Sequence, residues 1–199
     1  MARPVELPFD REAVVDAAVA LLVDDGYEAL SMRSVAARLG VSPVPLYRRV
    51  GNREALLDAI AERLLTGAIP TVEPGEAWPA YADRWARSLR ARLRSVPEFR
   101  KVIGSRRQAY VGATDPLVAA LRVDGVERDD AVRSARLLLW STVGFVTMEM
   151  GAVRSSTRHR ARGRKPGGDP GGVTASDGEA LFEEHLAYVL DGLVRTLSG

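Results

Sequence analysis

The segment SMRSVAARLGVSPVPLYRRVG, residues 31–51, constrains the fold more than any other stretch of this chain. Ser31 stands as an N-cap before Val35, Ala36 and Leu39, and Gly40 ends that helix after about two turns by supplying a left-handed exit. Ser42 followed by Pro43 reads as N-cap then N1, where proline's missing N–H is no loss, and Pro45 still lies in the first turn. Gly51 stops this next helix after Val50. Two helices this short cross sharply only if a small residue admits close approach and the turn residue accepts left-handed geometry. Ala36 and Gly40 meet both needs, and Val35, Val41, Leu46 and Val50 supply the contacts that lock the second helix in place. An alanine and a glycine four residues apart suit a plain helical hairpin equally well, so the pair alone does not decide the matter.

The flanking sequence continues in helices. Asp10 caps a helix to Asp25 with Val14, Ala18, Leu21 and Leu22 at helical spacing, and Gly26 ends it. Asn52 caps another, whose apolar face is Leu56, Leu57, Ile60 and Leu64, running to about Thr66; Pro70 and Pro74 mark a boundary. Helical patterns follow over residues 77–95, in a short piece after Pro97, over 115–122, over 127 to about 153, and over 177–197. No strand alternation competes. The expected fold is all-α: an N-terminal helix-turn-helix domain over residues 1–68, with the motif at 31–50, then a helical regulatory and dimerisation bundle over 75–199. Residues 154–176, rich in Gly, Pro and Arg, are expected to form a flexible loop, since so few apolar groups cannot offset the entropy of ordering. A disordered linker is preferred there to a basic surface for DNA or another polyanion.

Several function classes drop out on composition. The absence of cysteine removes disulfides, thiolate nucleophiles and sulfur-ligated metals, and His159 and His185 are the only imidazoles. Neither a signal peptide nor a membrane span is expected, so the reading is cytoplasmic. No cofactor or metal is expected. A net charge of +2 says little by itself, but residues 31–53 hold Arg33, Arg38, Arg48, Arg49 and Arg53 and no acid. A local positive window of this kind is an odd exterior for a structural hairpin and suits phosphates and guanine edges.

The span LSMRSVAARLGVSPVPLYRRVGNREALLDAI resembles the DNA-binding signature of the Tet repressor family, over roughly residues 10 to 65, in its Gly-Val-Ser turn, Leu-Tyr pair and Asn-Arg-Glu entry. The rest matches in outline, through a long helix containing GFVTMEMG and a final helix ending in a Leu-Asp-Gly-Leu pattern. The resemblance implies a homodimer on palindromic double-stranded operator DNA, released by a small-molecule effector. It implies that Arg33 reaches a base edge, that Ser42, Pro43, Val44 and Pro45 open the groove-facing helix, and that Tyr47 contacts phosphate. Arg53 at a helix N-terminus is implied as a phosphate clamp, and Ser31 as another. Arg48 and Arg49 replace an aromatic residue and a histidine common in the family, leaving base reading and phosphate neutralisation both open, with phosphate favoured for Arg48. Because Pro43, Val44 and Pro45 carry no side-chain hydrogen bonds, discrimination is expected to lean on apolar contacts such as thymine methyls, on Arg33 and on DNA shape.

For the effector, Trp78, Trp85, Phe99, Tyr110, Trp140, Phe145, Met148 and Met150 are candidates to line an apolar pocket, although such residues at helical spacing also build ordinary core. Glu149, alone in an apolar stretch, is a candidate ligand-orienting carboxylate or a residue facing water or a dimer partner. The alternatives are an all-helical carrier or enzyme, for which no catalytic constellation is visible, and a helical interaction module without DNA contact. The apolar last helix predicts the dimer.

Overall fold

A computed structural model of the chain describes residues 9–96, 99–104, 107–161 and 175–197. Helices α1 (Arg11–Asp25), α2 (Met32–Arg38), α3 (Pro43–Val50), α4 (Arg53–Thr66), α5 (Trp78–Arg94), α6 (Phe99–Ile103), α7 (Arg107–Val123), α8 (Arg128–Ala161) and α9 (Ala175–Leu197) account for the regular structure, with one 3-10 turn at Tyr27–Ala29. No strand occurs among the described residues. The chain divides into two compact units, Met1–Ala68 with Ser95–Ala113, and Ile69–Arg94 with Thr114–Gly199.

In the first unit the helix limits follow from local chemistry. The Asp10 carboxylate accepts the Ala13 N–H at 2.8 Å and Asn52 Oδ1 accepts that of Ala55 at 2.9 Å, which starts α1 and α4. At the head of α2, Ser31 and Ser34 satisfy each other reciprocally: Ser34 N–H reaches Ser31 Oγ at 3.1 Å, and Ser31 N–H reaches Ser34 Oγ at 2.9 Å. The tail of α2 closes as a Schellman turn, with Val41 N–H donating to Ala36 C=O at 3.0 Å and Gly40 N–H to Ala37 C=O at 3.1 Å. Gly40 has φ +68°, a conformation that Ala36 helps to define and that residues with a Cβ rarely adopt. α1 packs on α2, α3 and α4, and α6 packs on α4. The core they share contains Val14, Leu22, Val35, Ala36, Leu46, Leu57 and Ile60, all buried. Val41 is only half-buried, so its part in holding α3 is smaller than its place in the sequence suggests.

In the second unit α5, α8 and α9 pack pairwise, burying Trp85, Leu89, Leu138, Leu139, Phe182 and Leu186. Two expectations change here. α8 runs on through Ala161 and α9 begins at Ala175, so the flexible loop expected over 154–176 is helical at both ends. From Arg154 to Ala161 the sequence has no glycine or proline to stop a helix already propagating from a long apolar segment. The remainder, 162–174, lies outside the described residues. α7 begins at Arg107, well before the expected Asp115, and carries Pro116 in its interior. Buried Ala109, Ala113, Leu117 and Leu121 repeat every four residues straight through the proline, and burial of that stripe outweighs the local penalty.

Candidate nucleic-acid interface

α3 presents its apolar positions Leu46 and Val50, four residues apart, to the core. Its remaining side chains therefore face outward: Ser42, Val44, Tyr47, Arg48 and Arg49 are exposed, while Pro43 and Pro45 are half-buried. Val44 is 63% and Tyr47 52% exposed, a high value for two large side chains on an eight-residue helix. Such exposure is informative when the residues sit together on one element.

The five arginines of the positive window have different surroundings. Arg33, Arg48 and Arg49 are exposed and form no ion pair among the described residues. Arg38 instead bridges α2 to the end of α1, with Nη2 on the Asp24 carboxylate and Nη1 3.7 Å from Asp25. It therefore ties two helices together. Arg53, at the first position of α4, lies 5.4 Å from the Tyr27 ring centroid and 3.8 Å from Glu54. Tyr27 is approached as well by Lys101 of α6, whose Nζ lies 5.3 Å from the same ring and 2.5 Å from Glu28 Oε1. That Lys101 contact, with a smaller effect of Arg53, holds the Glu28 carboxyl below its ordinary range.

Two serines stand at the N-caps expected of them, with different surroundings. Ser31 is exposed, but its hydroxyl lies 2.8 Å from Ser34 Oγ, and Ser34 Oγ donates to Ala29 C=O at 2.6 Å. Ser34 has one hydroxyl hydrogen, so when it is given to Ala29 the Ser31 hydroxyl donates to Ser34 Oγ. Ser42 occupies the N-cap position of α3 with extended backbone, yet its side chain caps nothing. The N3 amide that an N-cap serine normally reaches belongs to Pro45, which has no N–H. Ser42 Oγ is consequently open to an outside partner.

Sequence reasoning did not find Tyr27, nor Arg63 of α4, which pins α4 to α1 through Asp16 at 2.6 Å and Glu12 at 2.9 Å. These partners lie far along the chain, and only the fold brings them together. Mixed charge on otherwise apolar helix faces was the one available signal.

The pocket candidates are divided between the two units. Phe99 is buried in the first unit, where Tyr110 also lies with its hydroxyl donating to Gly104 C=O at 3.0 Å. In the second unit Trp85 is fully buried and Trp78 nearly so, and the Trp78 N–H is capped by Asp124 at 2.9 Å. Phe145 packs edge-on against Phe182 with centroids 5.3 Å apart, and 5.1 Å from the His185 ring. Trp140 and Met148 are 63% and 74% exposed, which corrects the expectation that they face an interior. They occupy the face of α8 opposite its buried Leu138, Leu139 and Val146. Met150 is half-buried, and Glu149 is buried against Arg90. Among the described residues no helix is long and apolar enough to cross a membrane.

A short capped helix pair with its outer face basic and apolar, seated on a third helix, defines a helix-turn-helix protein that binds DNA. The family model for "Bacterial regulatory proteins, tetR family" matches residues 14–60. The Tetracycline repressor protein class C of Escherichia coli is 30% identical over 186 residues, covering 92% of this chain and 82% of that protein. Among solved structures, ActR of Streptomyces coelicolor in complex with actinorhodin superposes with a TM-score of 0.72 at 25% identity, covering 96% of this chain and 98% of that one. BioQ with its natural double-stranded DNA operator superposes at 0.66 and 25% identity, over 93% of this chain and 98% of that one. The chain belongs to the TetR family of bacterial regulatory proteins and is a DNA-binding transcriptional regulator.

Proposed function

We propose that the chain is a dimeric repressor that holds a palindromic operator through α2 and α3 and lets go when a small molecule binds the helices that follow. The observation that carries this reading is the state of the arginines: among the described residues Arg33, Arg48 and Arg49 stand exposed and without ion pairs, while Arg38 and Arg63 are spent on carboxylates within the unit. Exposed cations left without acidic neighbours are what a phosphate backbone neutralises.

In this reading residues 1–68 form the DNA-binding domain and 75–199 the effector and dimerisation domain. Arg33 contacts a base edge, Tyr47, Arg48 and Arg53 contact phosphates, and Ser42 Oγ and Arg49 complete the surface. Support for the dimer comes from Leu137, Trp140 and Met148 of α8 with Leu181 and Tyr188 of α9, large apolar side chains left exposed at helical spacing on helices that pack together. Support for an effector comes from the actinorhodin held by ActR, and support for an operator from the DNA held by BioQ, both of the same fold. The relatives are named as repressors and regulators, which supports a non-enzymatic role in the cytoplasm for this chain.

A gel shift with DNA flanking the chain's own gene tests the reading. Specific binding that weakens steeply between low and physiological salt is expected, since each phosphate contact releases counterions. Absent or salt-independent binding overturns it.

A further inference from the structure

We propose that Tyr27 is a positioning residue for DNA binding: its ring holds the Arg53 guanidinium by a cation–π contact and leaves the guanidinium N–H groups for a phosphate. This inference rests on the repressor reading above, in which Arg53 contacts phosphate, and names what aims that arginine.

A surface arginine loses rotamer freedom when a ligand fixes it, and that loss subtracts from the affinity of the contact. A carboxylate can fix the side chain beforehand, but it takes the same N–H groups that a phosphate needs. Arg38 and Arg63 are held in this way, by Asp24 and by Asp16 with Glu12. Arg53 is held differently. Its guanidinium carbon lies 5.4 Å from the Tyr27 ring centroid. Glu54, 3.8 Å from Nη1, is too distant to accept a hydrogen bond from it. A ring attracts a cation electrostatically through its face, so the in-plane N–H groups stay available to phosphate oxygens. Arg53 is thus restrained without being neutralised.

The ring itself is well anchored. Tyr27 is half-buried and opens the 3-10 turn Tyr27–Ala29, directly after Gly26, whose φ of +83° turns the chain off the end of α1. The next residue, Glu28, accepts from Lys101 of α6 at 2.5 Å, and Lys101 Nζ lies 5.3 Å from the Tyr27 ring centroid. The turn is therefore tied to α6 as well as to α1. Neither the spacing of Tyr27 and Arg53 along the chain nor the pattern of α4 announces this contact; the fold makes it.

The test uses the full-length protein and duplex DNA of random sequence, because a phosphate contact does not depend on the bases. Tyr27→Leu keeps an apolar side chain in the turn but removes the ring. It should weaken binding about threefold per subunit, and about tenfold for a dimer with both subunits engaged, from the strength of an exposed cation–π contact. Tyr27→Phe keeps the ring face and should retain the parent's affinity. In an Arg53→Ala background, Tyr27→Leu should cause no further loss. The salt slope of Y27L should fall between those of the parent and R53A, since a guanidinium that leaves its phosphate releases fewer counterions. A purely structural role for Tyr27 lowers affinity in both backgrounds and leaves the slope unchanged.

Equal losses in Y27F and Y27L assign the effect to the hydroxyl and overturn the inference. A Y27L loss that persists undiminished in the R53A background overturns it too. Both results leave the repressor reading intact. If the parent protein shows no salt-dependent binding to DNA, the repressor reading itself falls, and the inference with it.

Discussion

Arg90 of α5 and Glu149 of α8 are ion-paired inside the second unit, with Nη2 2.7 Å from Oε1, Nε 3.3 Å from Oε2, and both side chains 6% exposed. Arg90 Nη1 also donates to Glu179 at 2.8 Å, Nη2 to the Gly178 carbonyl at 3.2 Å, and the guanidinium lies 4.3 Å from the centroid of the Phe182 ring. Burial opposes the charge on Arg90, but its bonds to Glu149 and Glu179 outweigh that and raise its pKa. One arginine thus joins α5, α8 and the start of α9.

Removing Glu149 leaves the buried Arg90 with only the half-exposed Glu179 and the Gly178 carbonyl as acceptors. Glu149→Ala should cost about 3 to 5 kcal/mol in urea denaturation. Glu179→Ala, with its carboxylate 58% exposed, should cost under about 1 kcal/mol. Equal losses would mean that solvent reaches the pair.

Gly178 lies so close to the pair that a Cβ there would sit 2.7 Å from Glu149 Oε1. Alanine gains about 1 kcal/mol over glycine in helix propensity, but forcing a buried carboxylate aside costs about 1 to 3 kcal/mol, so Gly178→Ala should destabilise. In a Glu149→Ala background the clash is gone and the same substitution should stabilise. A double-mutant cycle by thermal unfolding reads the change of sign.

Glu76 is held at a pKa of about 2 by the Arg84 guanidinium, with a bond at 2.7 Å, and by the Glu73 N–H at 3.0 Å. The folded pKa lies below the ordinary 4.5, so the contact stabilises the fold above that value and is lost as pH falls through about 2. Carbon-detected NMR titration should place the Glu76 midpoint near 2. Arg84→Ala should return it toward 4.5.

The arginines of the interface should separate by function. Arg33→Ala should cost about 1 to 3 kcal/mol on a selected operator and much less on random DNA, while Arg48→Ala and Arg53→Ala should weaken both alike and lower the salt slope by about 1 each. Arg38→Ala, which loses its bridge to Asp24, should leave the salt slope unchanged and shift stability by under about 1 kcal/mol. Filter binding across a salt series distinguishes the four.

The legible parts of the chain were those written in short-range signals. Asp10, Ser31 and Asn52 cap helices where expected, Gly40 and Gly51 end them, and Leu46 and Val50 turn inward as their spacing requires. Each depends on an N–H, a carbonyl or a positive φ within five residues, so sequence order alone brings the partners together. The resemblance to the family was carried by the same segment. Arg90 left a fainter trace: it shares a helical face with Ala86 and Leu93, where a charge is out of place unless something pairs with it.

By itself, then, the sequence determined the helix-turn-helix, its caps and the family. Tertiary structure decided which charges are free. Arg33 and Arg38 look alike along the chain, yet the end of α1 supplies carboxylates to Arg38 and, among the described residues, nothing comparable reaches Arg33. Glu149 was open to a ligand until folding set Arg90, 59 residues away along the chain, against it, and Trp140 and Met148 looked like core until α8 turned them outward. Local caps are settled by bonds spanning a few residues. The fate of a charge or an aromatic ring depends on which distant helix the chain folds against it, and no spacing rule encodes that.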